Sequence, residues 1–281
     1  MTVPRNQAFK VGHLLLWSAD RGLGDCRHLR LRDDVLPLTG RSSTVDSVST
    51  KVVGDDLPLE FHECIGTAFV PGGKQLRLVR HGDEFTIILD DNELMSSRVS
   101  ASEAALATMT QTRLGARATQ EWLIGGYGMG FTLRAALGAL GADACLTVAE
   151  LVPQVIEWAQ GPMKALTGNC LDDPRVVLVN EDVATLIGAA SAGYDAILLD
   201  VDNGPEGLTR RCNDDLYSNE GLEAAHAALK AGGILAVWSA EDDAGFSKRL
   251  VSAGFRVDQV SVSDGLDGDG DTHILWFAKK G

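Results

Sequence analysis

From Ser100 to the C-terminus, short apolar runs alternate with longer stretches of helical pattern, and few architectures accept that order. The runs are Trp122–Ile124, Cys145–Val148, Val176–Val179, Ala196–Leu199, Ile234–Trp238, Val257–Val260 and Ile274–Phe277. Helical patterns lie around Leu133–Leu140, Val152–Ala159, Val183–Ala190 and Asn219–Leu229. Runs without strict alternation suit strands covered on both faces, so a mostly parallel sheet between helices is expected. The last two runs flank a Gly/Asp-rich turn, Asp264–Asp271, which predicts a closing antiparallel hairpin.

Upstream the pattern is different. Gln75-Leu-Arg-Leu-Val-Arg alternates apolar and polar residues, His81-Gly-Asp-Glu is a turn, and Phe85-Thr-Ile-Ile-Leu is a second strand. Residues 61–100 therefore read as a small antiparallel sheet. Residues 1–60 mix charges with turn formers and read either as an arm or as a few irregular strands. Ser100 begins a helix-cap signal ahead of a helix-forming stretch that runs to Met109. The expected division is an N-terminal extension and small β-region over 1–99 and a ligand-binding domain over 100–281.

Charge narrows the function. The 281 residues carry 25 Lys+Arg against 39 Asp+Glu, a formal charge of −14. That balance disfavours nucleic acid and anionic membranes as partners; an acidic field would attract a cationic substrate such as an amine, but acidity that serves solubility alone is the commoner case. Hydrophobic residues make up 45% and charged residues 23%, which is globular usage rather than disorder. Five scattered cysteines with no C-x-x-C pair indicate neither a disulfide framework nor a zinc site. With no signal-peptide layout and no long apolar run, the expectation is a cytoplasmic protein without a metal.

The sharpest motif is Trp122-Leu-Ile-Gly125-Gly126-Tyr-Gly128-Met-Gly130-Phe131, a buried strand entering a Gly-rich turn and a helix. Glycines there let the backbone approach a ligand and present N–H groups at a helix start. A dinucleotide fingerprint counted from Gly126 needs a glycine at 131, where Phe131 stands, so that reading loses. Glu150, followed by Leu151, closes the next strand, where a carboxylate can accept both hydroxyls of a ribose. Asp182, followed by Val183, closes the third and can accept from an adenine amino group. Each alone could be a helix cap; together they outline an adenosine site. The fourth strand ends in Asp200-Val-Asp202-Asn203, a polar cluster on the same rim, where a carboxylate can steer an amine and take its proton.

These pieces, together with Asp172-Asp-Pro-Arg-Val, Leu216-Tyr217-Ser and Ala231-Gly-Gly-Ile-Leu, resemble the spermidine synthase (polyamine aminopropyltransferase) family. The resemblance implies a class I methyltransferase-like (Rossmann-like) α/β fold, with a mostly parallel seven-stranded sheet, and a homodimer as a possible assembly. It implies that Gly125, Gly126 and Gly128 line a sulfonium nucleoside, that Glu150 holds its ribose and that Asp182 holds its adenine. Asp200 would deprotonate the acceptor amine. Glu103, Asp202, Asn203, Tyr217 and Trp238 would face the acceptor. The family carries an Asp in the loop where Gly128 stands, its Tyr-His-Glu reads Ala101-Ser102-Glu103, and its substrate-side glutamine aligns with Met95.

A loop carboxylate would repel the carboxylate of S-adenosylmethionine. Its loss at Gly128 therefore led to an expectation of methyl transfer from that cofactor to an amine-bearing small molecule. The alternatives are aminopropyl transfer from decarboxylated S-adenosylmethionine to a polyamine, an intramolecular reaction, and non-catalytic nucleoside binding. Asp267-Gly-Asp269-Gly-Asp271 mimics the start of a calcium loop but lacks its later residues and reads as a hairpin turn. His62, His81 and His273 show no ligand spacing and read as ordinary surface or sheet residues.

Overall fold

The computed structural model describes residues 8–11, 14–17, 63–201, 204–205, 215–264 and 270–281. Most of residues 1–60, the acceptor-side Asp202 and Asn203, and the hairpin tip at 265–269 lie outside the described residues. Within the N-terminal stretch, β1 (Ala8–Val11) pairs antiparallel with β2 (Leu14–Trp17).

A four-stranded antiparallel meander follows, made of β3 (Glu63–Phe69), β4 (Gln75–His81), β5 (Glu84–Leu89) and β6 (Asn92–Ser96). In β5, Phe85, Ile87 and Leu89 turn inward at every second residue, the period a half-covered sheet requires. Strand β3 escaped the sequence reading because its ECIGTAF pattern buries only Ala68. Its Gly66 explains the gap, since a Cβ there would meet the indole Nε1 of Trp158 at 2.5 Å. The missing side chain lets a helix of the larger domain press on the small sheet.

The chain then enters α1 (Ala101–Leu114) and the alternation expected from the sequence. Its elements are β7 (Glu121–Gly125), α2 (Phe131–Ala139), β8 (Cys145–Ala149), α3 (Pro153–Gln160), the short α4 (Lys164–Thr167), β9 (Val176–Val179), α5 (Val183–Ala189) and β10 (Tyr194–Leu199). After these come α6 (Asn219–Ala228), β11 (Leu229–Ser239), α7 (Ala244–Ser252), β12 (Phe255–Ser263) and β13 (Thr272–Lys280). Among the described residues seven strands form one sheet in the order β9-β8-β7-β10-β11-β13-β12. The first five are parallel; β13 pairs antiparallel with both β11 and β12. This is the class I methyltransferase-like α/β fold. Trp122, Leu123 and Ile124 are essentially fully buried, as strands covered on both faces demand.

Strand order reverses between β7 and β10, so their C-terminal ends open a crevice on one rim. The opposite rim is tied down by Asp195 at the start of β10. Its carboxylate accepts from Arg117 Nη1 at 2.8 Å, Lys230 Nζ at 2.7 Å and the backbone N–H of Glu121 at 2.9 Å. Burial pushes its pKa up, but these three donors outweigh that and hold it below the usual carboxylate range. Removing the carboxylate leaves a buried N–H and two cations without their partner. Asp195→Ala is expected to lower stability by about 2–4 kcal/mol in urea denaturation, while Asp195→Asn loses less.

Candidate functional site

A cavity of about 460 Å³ opens at the C-terminal ends of β7, β8, β9 and β10 and is roofed by the small N-terminal sheet. Gly126 and Gly128, directly after β7, line it with φ values of +82° and +54°. A side chain at Gly126 would collide with the carbonyl oxygen of Asp200, and one at Gly128 with Met95 Sδ at 2.8 Å. The loop backbone therefore runs close against the end of β10. Gly125 is different: a Cβ there would press on Val183 and Leu199, so its smallness serves strand–helix packing.

Glu150 ends β8 and is almost wholly enclosed. Its two oxygens accept from Tyr127 N at 2.9 Å and Val152 N at 2.8 Å, which pins the Gly-rich loop to the next strand end. Burial raises its pKa against the opposing pull of these backbone N–H groups. Asp182 caps α5, its Oδ1 accepting from Ala184 N at 2.8 Å. Leu151, Val152 and Val183 give the cavity an apolar wall beside these carboxylates. Carboxylate oxygens have further lone pairs, so both acids can accept from a ligand while still serving the fold.

On the other side of the loop, Asp200 ends β10 and its Oδ2 accepts from Thr132 Oγ1 at 2.6 Å. Glu103, buried in the first turn of α1, lies close enough to share the electrostatic burden. Desolvation followed by the Asp200 charge pushes Glu103 up to about 7, and desolvation pushes Asp200 up to about 6 despite the Thr132 bond. Two carboxyls raised in this way take up a proton closer to neutrality than free ones do, or admit a cation in its place.

Behind Glu103 lies a polar chain. Ser102 Oγ donates to Glu103 Oε2 at 2.8 Å and accepts from Trp238 Nε1 at 3.0 Å. Asp264, at the end of β12, accepts from Ser102 N at 2.7 Å, while His273 Nε2 lies 2.6 Å from its Oδ2. The expected Ser100 cap is not made by its side chain; Asp264 meets an α1 amide from the far end of the chain instead.

The sequence reading thus placed Gly126, Gly128, Glu150, Leu151, Asp182, Val183, Asp200, Glu103 and Trp238 around what proves to be one cavity. Tyr217 departs from expectation. It is buried edge-on against Phe246, ring centroids 5.7 Å apart, in the core on the other face of the sheet. His273 also departs: read as an ordinary sheet residue, it lines the cavity and stacks on Trp238 with centroids 4.8 Å apart. Thr132 was missed, although a hydroxyl one residue into the helix after the Gly-rich loop was a usable signal. Among the described residues eight carboxylates line the cavity and no lysine or arginine does.

Fold and cavity define a Rossmann-like protein with a nucleoside-sized, anionic cleft at the switch point. The spermine/spermidine synthase domain model matches residues 124–251. A polyamine aminopropyltransferase of Mycobacterium tuberculosis is 30% identical over 167 residues, covering 58% of this chain and 30% of that protein. Putrescine N-methyltransferase 4 of Nicotiana tabacum is 35% identical over 114 residues, covering 40% of this chain and 28% of that protein. The crystal structure of spermidine synthase from Thermotoga maritima superimposes with a TM-score of 0.62 at 21% identity, covering 78% of this chain and 73% of that one. In these comparisons the chain resembles the spermidine synthase-like proteins over part of its length. The matches span about a third of the curated relatives' length.

The expectation of methyl transfer is overturned. The domain model and the mycobacterial relative point to aminopropyl transfer, with the N-methyltransferase likeness confined to a shorter stretch. Physically, Gly128 removes one loop carboxylate, but Glu103, Asp200 and Asp264 keep the same space anionic. The carboxylate of intact S-adenosylmethionine would enter it with no lysine or arginine to meet it among the described residues.

The raised carboxyls also mark a cost to the fold. A group held at about 7 when folded and near 4.5 when unfolded binds more protons in the native state between those values. Its contribution therefore turns unfavourable as pH rises through that window. Glu103→Gln is expected to leave stability unchanged near pH 5 and to raise it by on the order of 2 kcal/mol at pH 8, read by denaturant titration at both pH values.

Proposed function

We propose that this chain transfers an aminopropyl group from decarboxylated S-adenosylmethionine to a polyamine-type acceptor. The observation that carries the reading is the charge of the cleft, which among the described residues presents eight carboxylates and no lysine or arginine to a donor bearing two positive charges and to a cationic acceptor. The family match and the aminopropyltransferase relatives support it.

In this reading Glu150 accepts from the ribose hydroxyls, Asp182 from the adenine amino group, and the loop at Gly126 and Gly128 flanks the nucleoside. The donor's ammonium lies toward Glu103, which replaces the missing loop acid. The acceptor reaches the site as an ammonium ion and surrenders a proton to the Asp200–Glu103 pair. Its nitrogen lone pair then attacks the aminopropyl carbon bonded to sulfur. As the N–C bond forms the C–S bond breaks, and sulfur keeps the electron pair and loses its charge. Methylthioadenosine leaves. The protein's contribution is orientation, a dry site and a proton acceptor tuned near neutrality, each of which lowers the barrier for in-line displacement.

Calorimetric titration with decarboxylated and with intact S-adenosylmethionine tests the donor, and methylthioadenosine release with 1,4-diaminobutane tests the reaction. Tighter binding of the decarboxylated form with product release is the expected result. Preference for the intact form, with S-adenosylhomocysteine as product, overturns the reading. Asp200→Asn is expected to cut turnover by roughly 100-fold or more while changing donor affinity only several-fold. The wild-type rate is expected to fall as pH drops from about 7 to about 6, where the Glu103–Asp200 pair protonates.

A further inference from the structure

We propose that the terminal hairpin belongs to the active site through Asp264 and His273, which act as positioning residues for Glu103. The inference rests on the reading of Glu103 as part of the proton-accepting pair, and it extends the site to a part of the chain expected to be only a turn.

The geometry is specific. Asp264 is a carboxylate with its side chain 3% exposed, and its two oxygens do different things. Oδ1 accepts from the Ser102 backbone N–H at 2.7 Å, which fixes the first turn of α1 and hence the place of Glu103. Oδ2 faces His273 Nε2 at 2.6 Å and Ser102 Oγ at 3.3 Å. Ser102 has one hydroxyl proton, which it can give to Glu103 at 2.8 Å or to Asp264 at 3.3 Å. Its lone pair is held by Trp238, and Trp238 in turn stacks on His273 at an interplanar angle of 30°. A helix cap needs Oδ1 alone. The second oxygen, the imidazole and the shared hydroxyl link the charge of Asp264 to the proton occupancy of Glu103.

The charges that act on Glu103 come from two elements. Asp200 faces it from the end of β10, and Asp264 from the end of β12. Asp271 lines the same cavity from just before β13. Against these, His273 is the one described cavity-lining group that can carry positive charge. When His273 carries a proton on both nitrogens its charge offsets Asp264 and Glu103 releases its proton more readily; without that charge the uncompensated Asp264 holds the proton on Glu103. The two hairpin residues therefore pull in opposite senses.

That opposition supplies the test. Glutamate labelled with carbon-13 at the side-chain carboxyl reports the titration of Glu103 by NMR, the signal being assigned with Glu103→Gln. Asp264→Asn keeps an acceptor for the Ser102 amide and removes the charge; His273→Gln keeps a donor to Asp264 and removes the imidazole. The midpoint of Glu103 is expected to move down in Asp264→Asn and up in His273→Gln, each by on the order of half a pH unit. The acid limb of kcat/KM for the diamine should move the same way in each variant. Midpoints that stay put, or move together, overturn the proposal. A purely structural role would lower the melting temperature without separating the two titrations. Should Asp264→Asn fail to fold, His273→Gln alone decides, and an unchanged or lowered midpoint rejects the assignment. Opposite shifts in a protein that transfers no aminopropyl group would leave the hairpin assignment standing and reject the functional reading instead.

Discussion

Five parallel strands end on one rim, and nearly everything else about the site depends on that direction. A parallel strand returns through a helix, so each strand end becomes a short turn with unpaired backbone donors and room for a polar side chain. Gly126, Glu150, Asp182 and Asp200 are the residues that happen to stand at or next to those ends, on β7, β8, β9 and β10. The chain does not assemble them by long-range recognition. The sheet's direction lines them up, and the reversal of strand order between β7 and β10 opens the space they surround.

What the rim then holds is unbalanced charge. At the opposite rim Asp195 is matched by Arg117 and Lys230, and its pKa falls below the usual carboxylate range. In the cleft Glu103 and Asp200 have no lysine or arginine beside them among the described residues, and theirs rise. The contrast within one sheet separates a carboxylate used for the fold from carboxylates held for a ligand. In the proposed reading a doubly cationic donor and an ammonium acceptor would restore the balance, as an anionic methionine tail would not.

Much of this was legible in the chain. The short runs from Trp122 to Phe277 set the strands because burial on both faces excludes a polar alternation. Glu150 and Asp182 could be placed because each stands within three residues of the end of its run. Strand β3 was not legible, since only Ala68 of its seven residues is buried and Gly66 leaves room for Trp158 where a side chain would stand. Tyr217 was misplaced for a related reason: a motif located it in sequence, but the side chain turns to Phe246 across the sheet from the cavity.

The sequence by itself determined the class of fold, the Gly-rich turn and the acids at successive strand ends, because periodicity and turn chemistry are local properties. Only the tertiary structure decided the acceptor side. Ser102 and Asp264 stand 162 residues apart and meet because α1 crosses the sheet where the β12–β13 hairpin ends. No local pattern marks a serine as the partner of a turn aspartate, or a strand histidine as the counterweight to a distant glutamate. Those relations exist once the antiparallel register pairing Ser263 with Thr272 brings the hairpin's end against the start of α1.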